Sequence, residues 1–150
     1  ETTARLDKVD AIIINGGYEN NLIKSNTYTS SMQLVGARFV NLNNTQRQVD
    51  AEYFKDKNIH AVAGIGNPAR FFVYFKTLGL RFTQHAFPDH HVFSAEDITF
   101  ARADAILMTE KDAVKCESFA TEHFWSLAVS AELEAAFGAR VLEKLKEQTS

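Results

Sequence analysis

The stretch HAFPDHHVFS, residues 85–94, places three of the chain's five histidines beside an aspartate and a proline. Imidazole titrates near neutrality, so modest neighbours decide its charge, and an adjacent carboxylate opens proton transfer or anion binding. Asp89 and His90 are therefore the candidate catalytic pair. The competing reading is a polar loop whose imidazoles bond backbone groups around a helix start. Residues 109–112 (TEKD) have the same double character. Lys111 beside a helix N-terminus suits phosphate oxygens, while Thr109 and Asp112 have helix-cap spacing and Glu110 favours the helix dipole. Asn67, Glu110 and Lys111 form the candidate substrate-binding set, with Asn67 also placed to cap a helix.

Two further chemistries can be weighed on spacing. GIGNPA matches G-x-G-x-x-A through Gly64, Gly66 and Ala69, and Asp89 follows twenty residues later. That pattern resembles a dinucleotide fingerprint in a Rossmann-like module. Pro68, however, removes a backbone N–H from the turn that would cradle a pyrophosphate, and a tight strand-to-helix turn is the preferred reading. No G-x-x-x-x-G-K-[ST] phosphate loop occurs. No metal site is expected. His90 and His91 are adjacent and point apart, no H-E-x-x-H is present, and Asp104 and Asp112 do not complete an Asp-His-His centre. His85 is expected within a strand, His91 in solvent, and His60 and His123 in structural roles at strand edges. The one cysteine, Cys116, excludes an internal disulfide and a cysteine-rich zinc site, and fits a reducing setting.

These residues need elements to hold them. At 150 residues and 45% hydrophobic, the chain suits a single domain, residues 1–150, burying roughly 70% of its unfolded surface. A net charge of −3 without a basic block argues against nucleic acid as a partner. Apolar runs such as AIII and IHAVAGI are too short to span a bilayer. The start, ETTARLDKVD, is polar and lacks methionine, as a piece of a longer chain would.

Strand and helix signals alternate. VDAIIIN (9–15) reads as a buried strand, residues 18–31 as a loop, and MQLVGARFVNL (32–42) as a hairpin about Gly36. Residues 48–57 suggest a short helix with Tyr53 and Phe54. Residues 59–63 read as a strand, and Asn67, Pro68 and Gly79 bracket a helix with Phe71, Phe72, Phe75 and Leu78 on one face. Residues 80–87 read as a strand. Ser94 and Asp97 have capping-box spacing for a helix to about Asp104. Residues 105–108 and 124–129 read as strands, and Leu133, Phe137, Val141 and Leu145 stripe a last helix. The expected fold is α/β: a three-layer-like mixed sheet, with parallel β-α-β units in the second half and an antiparallel hairpin in the first. The opening stretch then lies at the carboxyl end of a strand, where open α/β sheets bind ligands.

Taken together, VDAIIINGG, IHAVAGIGNPARFF, HAFPDHHVFSAED, ILMTEKDAVKC and FWSLAV resemble the C-terminal part of the tetraacyldisaccharide 4'-kinase family, from about Arg5 onward. Those enzymes phosphorylate a lipid-linked disaccharide in lipid A (lipopolysaccharide) synthesis in Gram-negative bacteria. The resemblance implies ATP and Mg2+ held mainly by an N-terminal phosphate-loop lobe outside this sequence. It implies that lobe and the lipid-linked disaccharide as partners. It implies a parent protein at the cytoplasmic side of the inner membrane, with this piece soluble and inactive alone. It makes His90 the histidine of the Pro-Asp-His stretch, which helps a carboxylate of the other lobe activate the sugar hydroxyl. Asp89 would orient it, and an upstream acid falls at Glu1. The alternatives are the dinucleotide module and a non-catalytic interaction domain.

Overall fold

The computed structural model describes residues 3–16 and 27–147. In chain order these form a 3-10 helix Thr3–Lys8, β1 Ile12–Asn15, β2 Thr29–Asn41, β3 Gln48–Val49, a 3-10 turn Ala51–Phe54, β4 Ile59–Ala63 and α1 Pro68–Thr77. There follow β5 Thr83–Ala86, β6 Ala105–Thr109, α2 Glu110–Cys116, a 3-10 turn Glu117–Phe119, β7 Phe124–Leu133 and α3 Ala135–Glu147. The chain divides into two compact units, Gly36–Val129 and Glu1–Val35 with Ser130–Ser150.

In the unit Gly36–Val129, β4 pairs in parallel with β5 on one side and β6 on the other, and β6 pairs in parallel with β7. Alternation along each strand sorts the core into two layers. Ala61, Ala63 and Leu107 pack with Phe71, Phe72 and Phe75 of α1. Val62, Ile106 and Met108 pack on the other face with Ala113 and Cys116 of α2. Both faces being covered explains why IHAVA and AILMT are almost continuously apolar. The α1 signals act as read: Asn67 Oδ1 accepts from Arg70 N at 3.2 Å, Pro68 opens the helix, and Gly79 takes φ 78° beyond its end.

Several expectations change, among them the short helix over 48–57, which is strand β3 followed by a 3-10 turn. The antiparallel hairpin exists, but its turn is not at Gly36, which lies inside the unbroken β2. The chain reverses after Asn41, whose side chain accepts from Asn44 N at 3.0 Å, and β3 returns to pair Phe39 with Val49. Gly36 serves a close approach instead. A Cβ there would lie 2.5 Å from the Ala128 carbonyl oxygen, while Tyr74 Oη donates to the Gly36 carbonyl at 2.6 Å. A further change concerns Ser94 and Asp97. They bond as a capping box should, with Asp97 Oδ2 accepting from Ser94 N at 2.8 Å, yet only isolated turns follow. Ile98 is fully buried and Phe100 stacks on His60 and His85. In a helix those two residues would point about 200° apart, so both could not reach the sheet. Burial overrides the local cap.

In the other unit, β1 pairs in parallel with β2 from Ile12–Thr29 to Asn15–Met32. Ser31 Oγ donates to Glu134 Oε1 at 2.7 Å, and this bond with that from the Ser31 amide holds the Glu134 carboxyl below its ordinary range. Tyr28 stacks on Phe137 of α3. Residues 29–31, expected in a loop, are strand, because they pair with β1; residues 18–26 of that expected loop lie outside the described residues.

His60 Nδ1 and His85 Nε2 lie 2.9 Å apart, and both rings stack on Phe100, as structural imidazoles would. Burial pushes both below the ordinary value of 6.5, and at His85 the charge of His60 adds to it. The unfolded chain therefore binds more protons than the folded one from pH 6.5 down to the lowered folded values, so stability rises with pH across that window. Urea unfolding followed by Trp125 fluorescence should show the midpoint falling as pH drops below 6.5, and the double variant His60→Gln/His85→Gln should flatten that slope. In the same assay Gly36→Ala should destabilise by about 1–3 kcal/mol, the range for forcing atoms into a packed site; an unchanged midpoint would contradict the close approach.

Candidate functional site

Parallel register builds the site. Ala63 of β4 is level with Ala86 of β5, and Val62 is level with Met108 of β6. The three strands therefore end at one edge of the sheet. The loops that leave them, residues 64–67, 87–94 and 109–112, meet there. All three lie in the unit Gly36–Val129.

The middle loop turns sharply. His91 N donates to the Pro88 carbonyl at 3.1 Å, which makes residues 88–91 a β-turn with His90 third, and His90 adopts φ 62°. Glycine is the usual residue there; a histidine pays of order 1 kcal/mol of backbone strain. The conformation leaves the imidazole outside, with its side chain 78% exposed. His90 N donates to Asp89 Oδ1 at 3.0 Å, and His90 Nε2 lies 3.6 Å from Asp89 Oδ2. Lys111 Nζ donates to the same carboxylate at 3.2 Å. That hydrogen bond, helped by the charges of His90 and Lys111 and the His90 amide, holds Asp89 below the ordinary carboxylate range against a smaller opposing effect of desolvation. Asp89 also abuts the first loop: a Cβ on Gly66 would lie 3.4 Å from Asp89 Oδ2. Three candidate residues, Asp89, His90 and Lys111, thus form one exposed cluster at the strand ends.

The others do not join them. Asn67 spends its side-chain oxygen on the α1 cap. Glu110 Oε2 accepts from Val129 N at 3.4 Å, toward β7. Glu1 lies outside the described residues. His91, expected in solvent, is 26% exposed; its Nε2 lies 3.2 Å from Asp97 Oδ2 and its ring packs on Phe87 and Phe93. The two aromatic rings draw it in. Among the described residues, no group of three or more His, Cys, Asp or Glu is placed to hold a metal ion. Cys116 is fully buried, and burial, with the nearby Asp112 charge, pushes its thiol up to about 12. It stays protonated and unreactive.

Sequence reasoning passed over Asp112 as anything but a cap. It does cap α2, its amide donating to Thr109 Oγ1 at 3.1 Å, but its carboxylate is fully buried. It accepts from Gly64 N at 3.0 Å, Thr109 Oγ1 at 2.8 Å and Lys115 Nζ at 2.9 Å. The turn that resembles a dinucleotide fingerprint therefore already gives its first N–H to a carboxylate of the chain itself. Lys115, three residues on, was the available hint, since the pair at i and i+3 can meet on a helix.

The parallel α/β sheet thus gathers a carboxylate, an imidazole and an ammonium at its carboxyl edge, the edge at which open α/β sheets as a class bind their ligands. The chain belongs to the tetraacyldisaccharide-1-P 4'-kinase family, which matches residues 1–146. The tetraacyldisaccharide 4'-kinase of Methylobacillus flagellatus is 41% identical over 145 residues, covering 97% of this chain and 42% of the relative. That of Hahella chejuensis is 42% identical over 150 residues, covering 100% and 43%. The "apo" form of LpxK from Aquifex aeolicus, solved in complex with ATP, has the same fold, with TM-score 0.67 at 22% identity over 96% of this chain and 44% of that one. The chain thus spans less than half the length of these relatives.

The site makes one electrostatic prediction. Lys111→Met should raise the titration midpoint of Asp89, followed by carboxyl-carbon NMR, because the largest influence lowering it is removed. A midpoint that stays put would mean the ammonium does not engage Asp89 in solution.

Proposed function

We propose that the chain is the C-terminal lobe of a kinase that transfers the γ-phosphate of ATP to the 4'-hydroxyl of a tetraacyldisaccharide 1-phosphate in lipid A biosynthesis. The observation that carries this reading is the family match over residues 1–146. The strand-end cluster of Asp89, His90 and Lys111 supports it. The reading assigns ATP and Mg2+ mainly to the N-terminal lobe of the parent protein. Asp89 does not fit a metal-ligand role, because its carboxylate is already engaged by Lys111 and by the His90 amide. Bound Mg2+ would supply charge stabilisation for the phosphoryl group from the other lobe.

Each residue then has a task. His90, exposed at the rim, hydrogen-bonds the carboxylate of the opposing lobe that receives the sugar hydroxyl proton, and so tunes that base when the lobes close. Asp89 holds His90 through its amide and balances an imidazolium if one forms. Lys111 spends one N–H on Asp89 and has two left for phosphate oxygens. Alone, the chain folds but lacks the phosphate-loop half of the chemistry, so it should be inactive. No helix of the described residues is long and apolar enough to cross a membrane. The parent's place at the cytoplasmic face of the inner membrane is part of the same proposal, with the lipid-linked disaccharide as the partner met there.

In the full-length parent, His90→Ala should lower kcat by about 100-fold or more, the range of acid–base groups, with KM nearly unchanged. Steady-state kinetics with the disaccharide acceptor tests this. A rise in KM alone would move His90 from proton handling to binding.

A further inference from the structure

A buried anchor ties two of the three loops at the sheet edge directly and reaches the third through Lys115. The Asp112 carboxylate, with no exposed surface, accepts from Gly64 N, Thr109 Oγ1 and Lys115 Nζ, at 3.0, 2.8 and 2.9 Å. Lys115 extends the clamp: its ammonium lies 3.5 Å from the Gly64 carbonyl oxygen and 5.4 Å from the centre of the Phe93 ring, in the loop that carries His90. The packing leaves little slack. A Cβ on Gly64 would lie 3.0 Å from Phe93 and 3.3 Å from Asp112 Oδ1. Two residues from Gly64, Gly66 abuts Asp89, and one residue before Asp112, Lys111 reaches that same Asp89.

We infer that Asp112 is a positioning residue for the phosphoryl-transfer site: its carboxylate, locked by Lys115, sets the spacing of the residue 64–67 turn and the α2 start, and through them the placement of Asp89, His90 and Lys111. This rests on the kinase reading above. It goes beyond that reading because Asp112 is fully buried and has no surface to offer a ligand. A displacement of reacting groups of about 1 Å can cost about 100-fold in rate, so a small loosening of this anchor is enough to matter.

The experiment is a mutant cycle in the full-length parent. Asp112→Asn keeps one oxygen for Gly64 N and Thr109 Oγ1, which share Oδ2, but loses the charge and the Oδ1 acceptor that hold Lys115. Expected are a kcat lowered at least about 10-fold per folded molecule, KM within about twofold, and less than about twofold further loss when Asp112→Asn is added to the pair His90→Ala/Lys111→Met, which removes both groups it is held to place. Losses that multiply when Asp112→Asn is added to that pair, or a drop that merely follows the folded fraction measured by thermal unfolding, overturn the inference. Should Asp112→Asn fail to fold, Lys115→Gln, which removes the locking charge from the other side, is read by the same criteria. If His90→Ala is itself silent, the kinase assignment of the strand-end cluster fails and the inference fails with it. If His90→Ala is impaired but the cycle is additive, only the role of Asp112 falls.

Discussion

A carboxylate buried without solvent must be paired and hydrogen-bonded, because leaving it alone costs several kcal/mol. Asp112 meets that requirement through Gly64, Thr109 and Lys115, and each partner belongs to a segment that borders the strand-end cluster. The demand of one charge for partners thus fixes how the β4–α1 turn sits against the start of α2. Thr109 and Asp112 also bond reciprocally as a helix cap. One residue therefore serves helix initiation and loop docking together.

Around that anchor the exposed cluster has a consistent electrical logic. Asp89 lies between an ammonium and an imidazole, and its carboxyl is held below the ordinary range mainly by Lys111. The pair is about half exposed on both sides, so the ion pair adds little to stability and more to orientation. The strained φ of His90 has the same sense. A turn that would relax with glycine instead carries a side chain held outward, and strain of this kind is tolerated where the surrounding structure over-determines it. Histidines elsewhere behave differently. His60 and His85 share a hydrogen bond and stack on Phe100, and His91 packs between Phe87 and Phe93.

Parallel pairing is the larger frame. Because β4 has β5 and β6 as parallel neighbours, every loop after these strands exits at the same edge. The antiparallel hairpin of β2 and β3 serves a different end. It brings Phe39 into the cluster with Phe54 and Phe75, on the α1 side of the sheet.

Much of this was legible in the residues alone, wherever a signal is local. The Asn67–Pro68–Gly79 bracket of α1, the Thr109 cap of α2, the apolar strands and the strand-end position of HAFPDHHVFS depend on neighbours within a few positions, and the short-range physics of caps and periodicity decides them. The sequence also marked Asp89, His90 and Lys111, since their types are chemical whatever the fold. Tertiary structure decided the rest. Gly36 could signal a turn or a close approach, and only the proximity of Ala128 selects the second. Ser94 and Asp97 bonded as a cap, but the burial of Ile98 and stacking of Phe100 outweighed helix propagation. Asp112 reads identically as a surface cap or a buried anchor, because burial depends on a partner 48 residues away in sequence. A contact at that separation leaves no trace in local spacing, and the parallel register that creates it exists only once the sheet has formed.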